Sequence, residues 1–278
     1  MNKDKIPDFF HIGIMKTGTT SIQNALVKDK RIQLFLHSRI INTNQYYFKK
    51  YESLDYSKIT IESDENIYRS MGNMYGLNTS LKRIQHANPN AIIIVTIREQ
   101  RSLLISAYKH LIRRTTFNKS FADFLKCSEG VSFLNALNYY KFYLEILNYF
   151  PANQVKFILY ENDLINSFYE YGIGLKAPKN IIYPLLNKTE NDTITAFNLK
   201  LNKLRLFRKD VFFSKIEDYF YSMVLKFFSR FNKNSKQKLF FWDKRNPFLN
   251  EIEKEFSVSN KLFSQETGLN IKEFNYLT

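Results

Sequence analysis

The sequence predicts an α/β fold: a three-layer sandwich with a central, mainly parallel sheet and a helical C-terminal part. Three observations predict it. Residues 91–97 (AIIIVTI) are an almost unbroken β-branched run, as expected of a strand covered on both faces. Strand-like and helix-like stretches alternate along the first 160 residues, the pattern of a sheet whose strands are joined by helices. A glycine-bearing turn links the first strand to the first helix.

In order, residues 7–13 (PDFFHIG) read as a short buried strand. A helix begins near Thr19 and turns Ile22, Leu26 and Val27 inward at helical spacing. Residues 58–63 (KITIES) read as a second strand. A helix over 79–87 ends before Pro89, because the residue preceding a proline is pushed out of the helical region. The strand at 91–97 is followed by a helix over 101–114. A further helix over 133–150 is stopped by Pro151, and residues 155–160 (VKFILY) form another strand. From about residue 184 the pattern is mostly helical, with no sharp boundary, so residues 1–278 are expected to form a single domain with a helical extension.

Composition narrows the class. Only 8 glycines and 6 prolines argue against long linkers and repeat arrays. One cysteine, Cys127, excludes an intrachain disulfide framework and a cysteine metal cluster, and fits a reducing, cytoplasmic setting. The apolar run near the N-terminus is too brief for a signal peptide, and the longest run, at 91–95, is far short of a membrane span. The net charge of +15 implies an anionic partner. It is uneven: residues 200–245 hold 13 Lys/Arg against 4 Asp/Glu. Within them, Phe213, Ile216, Phe220, Val224, Phe227 and Phe231 recur at helical spacing beside lysines and arginines. Such a helix either packs on the domain with a solvated basic face or rests on an anionic membrane or polysaccharide.

The sharpest signal is Gly13-Ile14-Met15-Lys16-Thr17-Gly18-Thr19-Thr20, between a strand and a helix. Glycines let backbone N–H groups approach an anion, and the helix N-terminus adds partial positive charge. Lys16 supplies a full charge and the threonines supply hydroxyls. The predicted fold is therefore P-loop-like. The loop is not a Walker A sequence, in which lysine directly follows the second glycine. Here lysine stands two residues before that glycine, and no strand ends in a convincing magnesium aspartate.

The string from His11 to Leu26 (HIGIMKTGTTSIQNAL) resembles the 5′-phosphosulfate loop of sulfotransferases that use 3′-phosphoadenosine 5′-phosphosulfate (PAPS). The resemblance implies that Lys16, Thr17, Gly18, Thr19 and Thr20 hold the 5′-phosphosulfate, with Ser21 alongside, and that Lys16 stabilises the leaving oxygen. It implies PAPS as donor, adenosine 3′,5′-bisphosphate as product, and no metal. A sulfuryl group carries less charge than a terminal phosphoryl group, so a lysine and backbone donors can manage its transfer.

A second segment, 91–114, ends its strand at Arg98 and carries Ser106 eight positions on. An arginine at a strand's C-terminal edge stands where α/β sheets bind ligands, and a guanidinium fork plus a hydroxyl suits a phosphate monoester. The segment resembles the family's 3′-phosphate site, which implies that role for Arg98 and Ser106. It departs in having Glu99-Gln100 where the family often has Asp-Pro. Tyr160-Glu161-Asn162-Asp163-Leu164 and Asn187-Lys188-Thr189 resemble further short stretches, and residues 257–275 resemble the C-terminal helix and tail of bacterial members.

An acceptor hydroxyl must lose a proton as it attacks sulfur. Glu65 is the first candidate base and Asp64 the second, since both follow the strand at 58–63 and so share a sheet edge with the glycine loop. Carbohydrate sulfotransferases often place a glutamate there, which leans toward a glycan or glycan-precursor acceptor. His37 is the competing base, as small-molecule sulfotransferases use a histidine. His11 reads as structural, His86 as the end of a surface helix, and His110, one turn past Ser106, as a candidate aid to phosphate binding. The runner-up function is a P-loop kinase or nucleotide hydrolase. A nucleic-acid-binding protein is a third reading, on charge alone, since no helix-turn-helix, zinc or RNA-recognition pattern is present.

Overall fold

The computed structural model describes residues 6–36, 54–55, 57–64, 74–115, 117–179, 199 and 246–278. The candidate bases Glu65 and His37, the 187–189 stretch and the aromatic–basic segment at 213–231 lie outside them.

Five strands form one sheet in which every pairing is parallel: β1 (Phe9–His11), β2 (Ile32–Leu36), β3 (Ile59–Ser63), β4 (Ile92–Ile97) and β5 (Val155–Leu159). Their spatial order is β2-β3-β1-β4-β5. Helices α1 (Thr19–Val27), α2 (Met74–Ala87), α3 (Gln100–Arg114), α4 (Phe121–Lys126), α5 (Ser128–Ala136), α6 (Tyr139–Leu147), α7 (Leu164–Ser167) and α8 (Pro247–Thr267) complete the described elements.

The period-2 alternation of the strands splits the core into two layers. On one face Phe10, Ile93, Val95 and Ile97 pack with Leu81 of α2, Leu104 of α3, Phe142 of α6 and Phe256 of α8. On the other, Ile61, Ile94 and Ile158 pack with Ile22 and Leu26 of α1, Leu164 of α7 and Phe168. This is the α/β three-layer arrangement the sequence predicts. No helix among the described residues is long and apolar enough to cross a membrane.

The structure corrects two sequence expectations and adds two elements. Val27 is exposed rather than turned inward. The stretch 133–150 is two helices rather than one. Asn138 leaves the helical region, and its side chain accepts a hydrogen bond from the Lys141 amide, so it starts α6 afresh. Residues 32–36 form the edge strand β2, and α4 precedes α5; neither was foreseen. The β2 sequence IQLFL is only partly buried and has no clean alternation of apolar and polar residues to announce it.

The strand order places the site. The connection after β1 runs through α1 toward β2, and the connection after β4 runs the opposite way, to the neighbouring β5. β1 and β4 are adjacent, so a crevice opens between their C-terminal ends, where α/β sheets bind ligands.

Candidate functional site: an anion-suited loop braced by a second strand end

The loop from Gly13 to Gly18 leaves β1 into this crevice and ends as the start of α1. Lys16 and Gly18 both adopt left-handed backbone conformations, with φ of 69° and 88°. A glycine is needed at 18: a Cβ there would lie 2.3 Å from the Leu164 side chain and 3.1 Å from the Tyr160 ring. At Gly13 a Cβ would come within 2.6 Å of Thr96 Oγ1 and 2.8 Å of His11 Nε2. The N-cap of α1 is Gly18, so no side chain caps the helix, and its first turn has no acidic residue. The first-turn N–H groups and helix dipole therefore keep their preference for an anion.

Beneath the loop, a chain of buried polar groups crosses β3, β1 and β4. Thr17 Oγ1 donates to the Ile14 carbonyl (2.5 Å) and so must accept from Thr96 Oγ1 (2.6 Å). Thr96 in turn accepts from His11 Nε2 (3.2 Å), which leaves His11 Nδ1 to accept from Ser63 Oγ (2.8 Å). Ser63 Oγ accepts from Gln23 Nε2 of α1 (3.1 Å). Every proton in the chain has one place, provided His11 is neutral. Burial pushes the His11 imidazole down to about 3, which keeps it so. His11 is thus a structural histidine, as its strand position predicts.

The predicted site residues are distributed as follows. The Thr17 hydroxyl is engaged on the floor of the loop, by the Ile14 carbonyl and Thr96 Oγ1. Thr19 is buried, and its Oγ1 has no hydrogen-bonding partner among the described residues. Thr20 is exposed and Ser21 is buried. Arg98, at the end of β4, donates from Nη1 to the Lys16 carbonyl (3.1 Å). Its guanidinium lies 4.5 Å from the Tyr160 ring centre, and its buried Nε has no acceptor among the described residues. Ser106 lies half-buried on α3. The first turn of α1, the lysine and the arginine are therefore brought together, with two buried donors, Thr19 Oγ1 and Arg98 Nε, that phosphate oxygens would satisfy. Asp64 follows β3, is buried, and donates its N–H to the His11 carbonyl (3.0 Å), which sets it beside the start of the loop.

The turn after Arg98 carries Glu99-Gln100 in place of Asp-Pro, and its geometry is now defined. Glu99 caps α3 by accepting from the amides of Arg101 (3.1 Å) and Ser102 (2.8 Å). Gln100 is buried and exchanges amide hydrogen bonds with Asn260 of α8 (2.6 and 3.1 Å). The Glu161 carboxylate accepts from the Glu99 amide (3.0 Å) and from the Tyr276 hydroxyl (2.9 Å). Burial pushes the Glu161 carboxyl up, against the hydrogen bonds that favour the carboxylate, and pushes the Tyr276 phenol well up, a shift to which the neighbouring Glu161 carboxylate adds. Tyr139 Oη donates to the Arg98 carbonyl (2.5 Å).

Tyr139, Tyr160, Gln23, Asn260 and Tyr276 were not foreseen as site supports. Tyr160, Gln23 and Asn260 fall within stretches singled out by resemblance, at 160–164, 11–26 and 257–275, but nothing there marked these particular side chains. Lys16 Nζ also lies 2.9 Å from Nδ1 of His110 on α3. Among the described residues no cluster of three His, Cys, Asp or Glu could hold a metal.

The chain matches no protein-family model, and no curated protein is similar to it in sequence. Its fold is similar to that in the crystal structure of a sulfotransferase from Alicyclobacillus acidocaldarius. The TM-score is 0.51 at 18% identity, over 72% of this chain and 94% of that one. At that identity the likeness concerns the fold.

Proposed function

We propose that the protein is a sulfotransferase that moves a sulfuryl group from PAPS to a hydroxyl or amine of an acceptor, with a cell-surface glycan or its precursor as the favoured class. One observation carries this reading: Arg98 of the β4 edge holds the carbonyl of Lys16 in the β1 loop at 3.1 Å, so two anion-suited segments act on one crevice. The similar fold of a sulfotransferase supports it.

In this reading the 5′-phosphosulfate sits on the first turn of α1, against Lys16, Thr19 and the loop amides, with Thr20 and Ser21 alongside. Arg98 and Ser106 take the 3′-phosphate. The acceptor oxygen attacks sulfur and the bond from sulfur to the bridging oxygen breaks. Its electron pair leaves on the 5′-phosphate of adenosine 3′,5′-bisphosphate, where the Lys16 ammonium stabilises it. The acceptor proton passes to a base: Glu65 first, Asp64 second, His37 as the competitor. The donor needs no metal bridge in this scheme. A cytoplasmic setting, with peripheral contact to an anionic surface through the basic segment, belongs to the same reading.

Calorimetry in EDTA tests it. Adenosine 3′,5′-bisphosphate should bind, and should bind more tightly than adenosine 5′-monophosphate. Equal affinities would overturn the 3′-phosphate assignment. Binding of ATP with magnesium, in place of the bisphosphate, would turn the reading to a kinase or hydrolase.

A further inference from the structure

His110 lies one helical turn beyond Ser106 on α3 and is half-buried. Two cationic donors converge on its Nδ1: Lys16 Nζ at 2.9 Å and Arg113 Nη2 at 3.4 Å. A lysine ammonium and a guanidinium offer only protons, so Nδ1 must be the acceptor of both. The ring is then neutral, with its proton on Nε2. A proton on Nδ1 would face two positive charges and would break the contact with Lys16.

We infer that His110 is a positioning residue for Lys16, an inference that rests on the proposed role of Lys16 in sulfuryl transfer. The physical case is one of freedom removed. Lysine carries a flexible four-carbon stem, and its ammonium is a point charge that must be aimed. Lys16 is gripped at both ends by the β4–α3 unit: Arg98 holds its carbonyl and His110 holds its ammonium. Its left-handed backbone, φ 69°, sets the direction in which the stem departs. An acceptor beside the ammonium orients one of its protons and so fixes the direction in which the charged group is held. The same α3 carries Ser106, so the element expected to bind the 3′-phosphate also sets the lysine expected to act at the sulfur. Donor seating and lysine aim are thereby coupled through one rigid helix.

The test uses the shape of two substitutes. An asparagine at 110 can present its side-chain oxygen near the place of Nδ1, whereas glutamine presents its oxygen near that of Nε2. His110→Ala and His110→Gln should lower kcat by about 10- to 100-fold, with donor KM changed far less, as outer-shell partners of metal ligands do. His110→Asn should recover most of the loss. Equal activity in all three variants, or equal loss in all three, would overturn the inference. A second measurement needs neither variant nor activity. Nitrogen-15 spectra of the free wild-type protein should show His110 as the Nε2–H tautomer with an unprotonated Nδ1, and a protonated Nδ1 would overturn it. If Lys16→Ala keeps full turnover, the sulfuryl-transfer role of the lysine fails, while the tautomer still decides the pairing.

Discussion

Lys16 and Arg98 touch each other, yet their losses should look different. In the proposed reaction, Lys16→Ala removes the positive charge beside the leaving oxygen, a contact that would strengthen only as the bond breaks. Turnover should fall by about 10²-fold or more, as when an oxyanion donor is deleted, with a smaller change in bisphosphate affinity. Steady-state kinetics beside calorimetry separates the two, and near-normal turnover would refute the role. Arg98→Ala should chiefly weaken bisphosphate binding. Because Nη1 also holds the Lys16 carbonyl, a secondary loss of turnover should accompany it. Arg98→Lys should not rescue, since an ammonium cannot both hold that carbonyl and stack its plane on Tyr160. For the base, Glu65→Gln should cut the rate by about 10²- to 10⁴-fold with donor affinity intact, and Asp64→Asn should cut it less. If His37→Ala is the damaging change instead, the glycan reading weakens with it.

At the scale of elements, the start of α3 shows how far local sequence reaches. That a helix begins after Arg98 was readable, and Glu99 is a good cap for it. That Gln100 pairs with Asn260, 160 positions away, was not, since nothing local records a partner on α8. The pair is buried and closed, and Asn260 also donates to the Leu277 carbonyl (2.7 Å). Asn260→Ala would leave Gln100 and that carbonyl short of partners, at a cost of about 1–3 kcal/mol for an unsatisfied buried group. The melting temperature should fall by several degrees, since each kcal/mol is worth roughly 2–4 °C in a domain of this size. An unchanged melting curve would show that water replaces the pair. The break between α5 and α6 teaches the same lesson. The apolar spacing of 133–150 allows one helix, but Asn138 is held by Ser259 Oγ (2.9 Å) and caps α6 instead.

For the whole molecule, His11 ties the strand order to stability. Its folded imidazole titrates near 3, while an unfolded histidine titrates near 6.5. Below 6.5 the unfolded chain takes up a proton that the folded one refuses. Stability should therefore fall as pH drops from 6.5 toward 3, by about 1 kcal/mol per unit once below 6. Glu161 acts in the opposite sense, because its raised carboxyl takes up a proton in the folded state first. The slope is cleanest between pH 6.5 and 5.5. Urea titrations at those two values give the measurement, and equal midpoints would show that His11 is not held neutral by burial.

The sequence by itself determined the strand–loop–helix at 9–27, the strands at 59–63, 92–97 and 155–159, and the identity of the charged groups in the two anion-suited segments. Each of these is written in neighbouring residues, as β-branched runs, glycines and the spacing of apolar side chains. Only the tertiary structure decided that β1 and β4 lie side by side, that Arg98 grips Lys16, that His110 takes its ammonium, and that Asn260 locks the turn between them. Those are contacts between residues 82, 94 and 160 positions apart. A strand's neighbour depends on how both sheet faces are covered, and a side chain's partner depends on that neighbour. A local pattern records the fold of a segment; it does not record which distant segment will complete its hydrogen bonds.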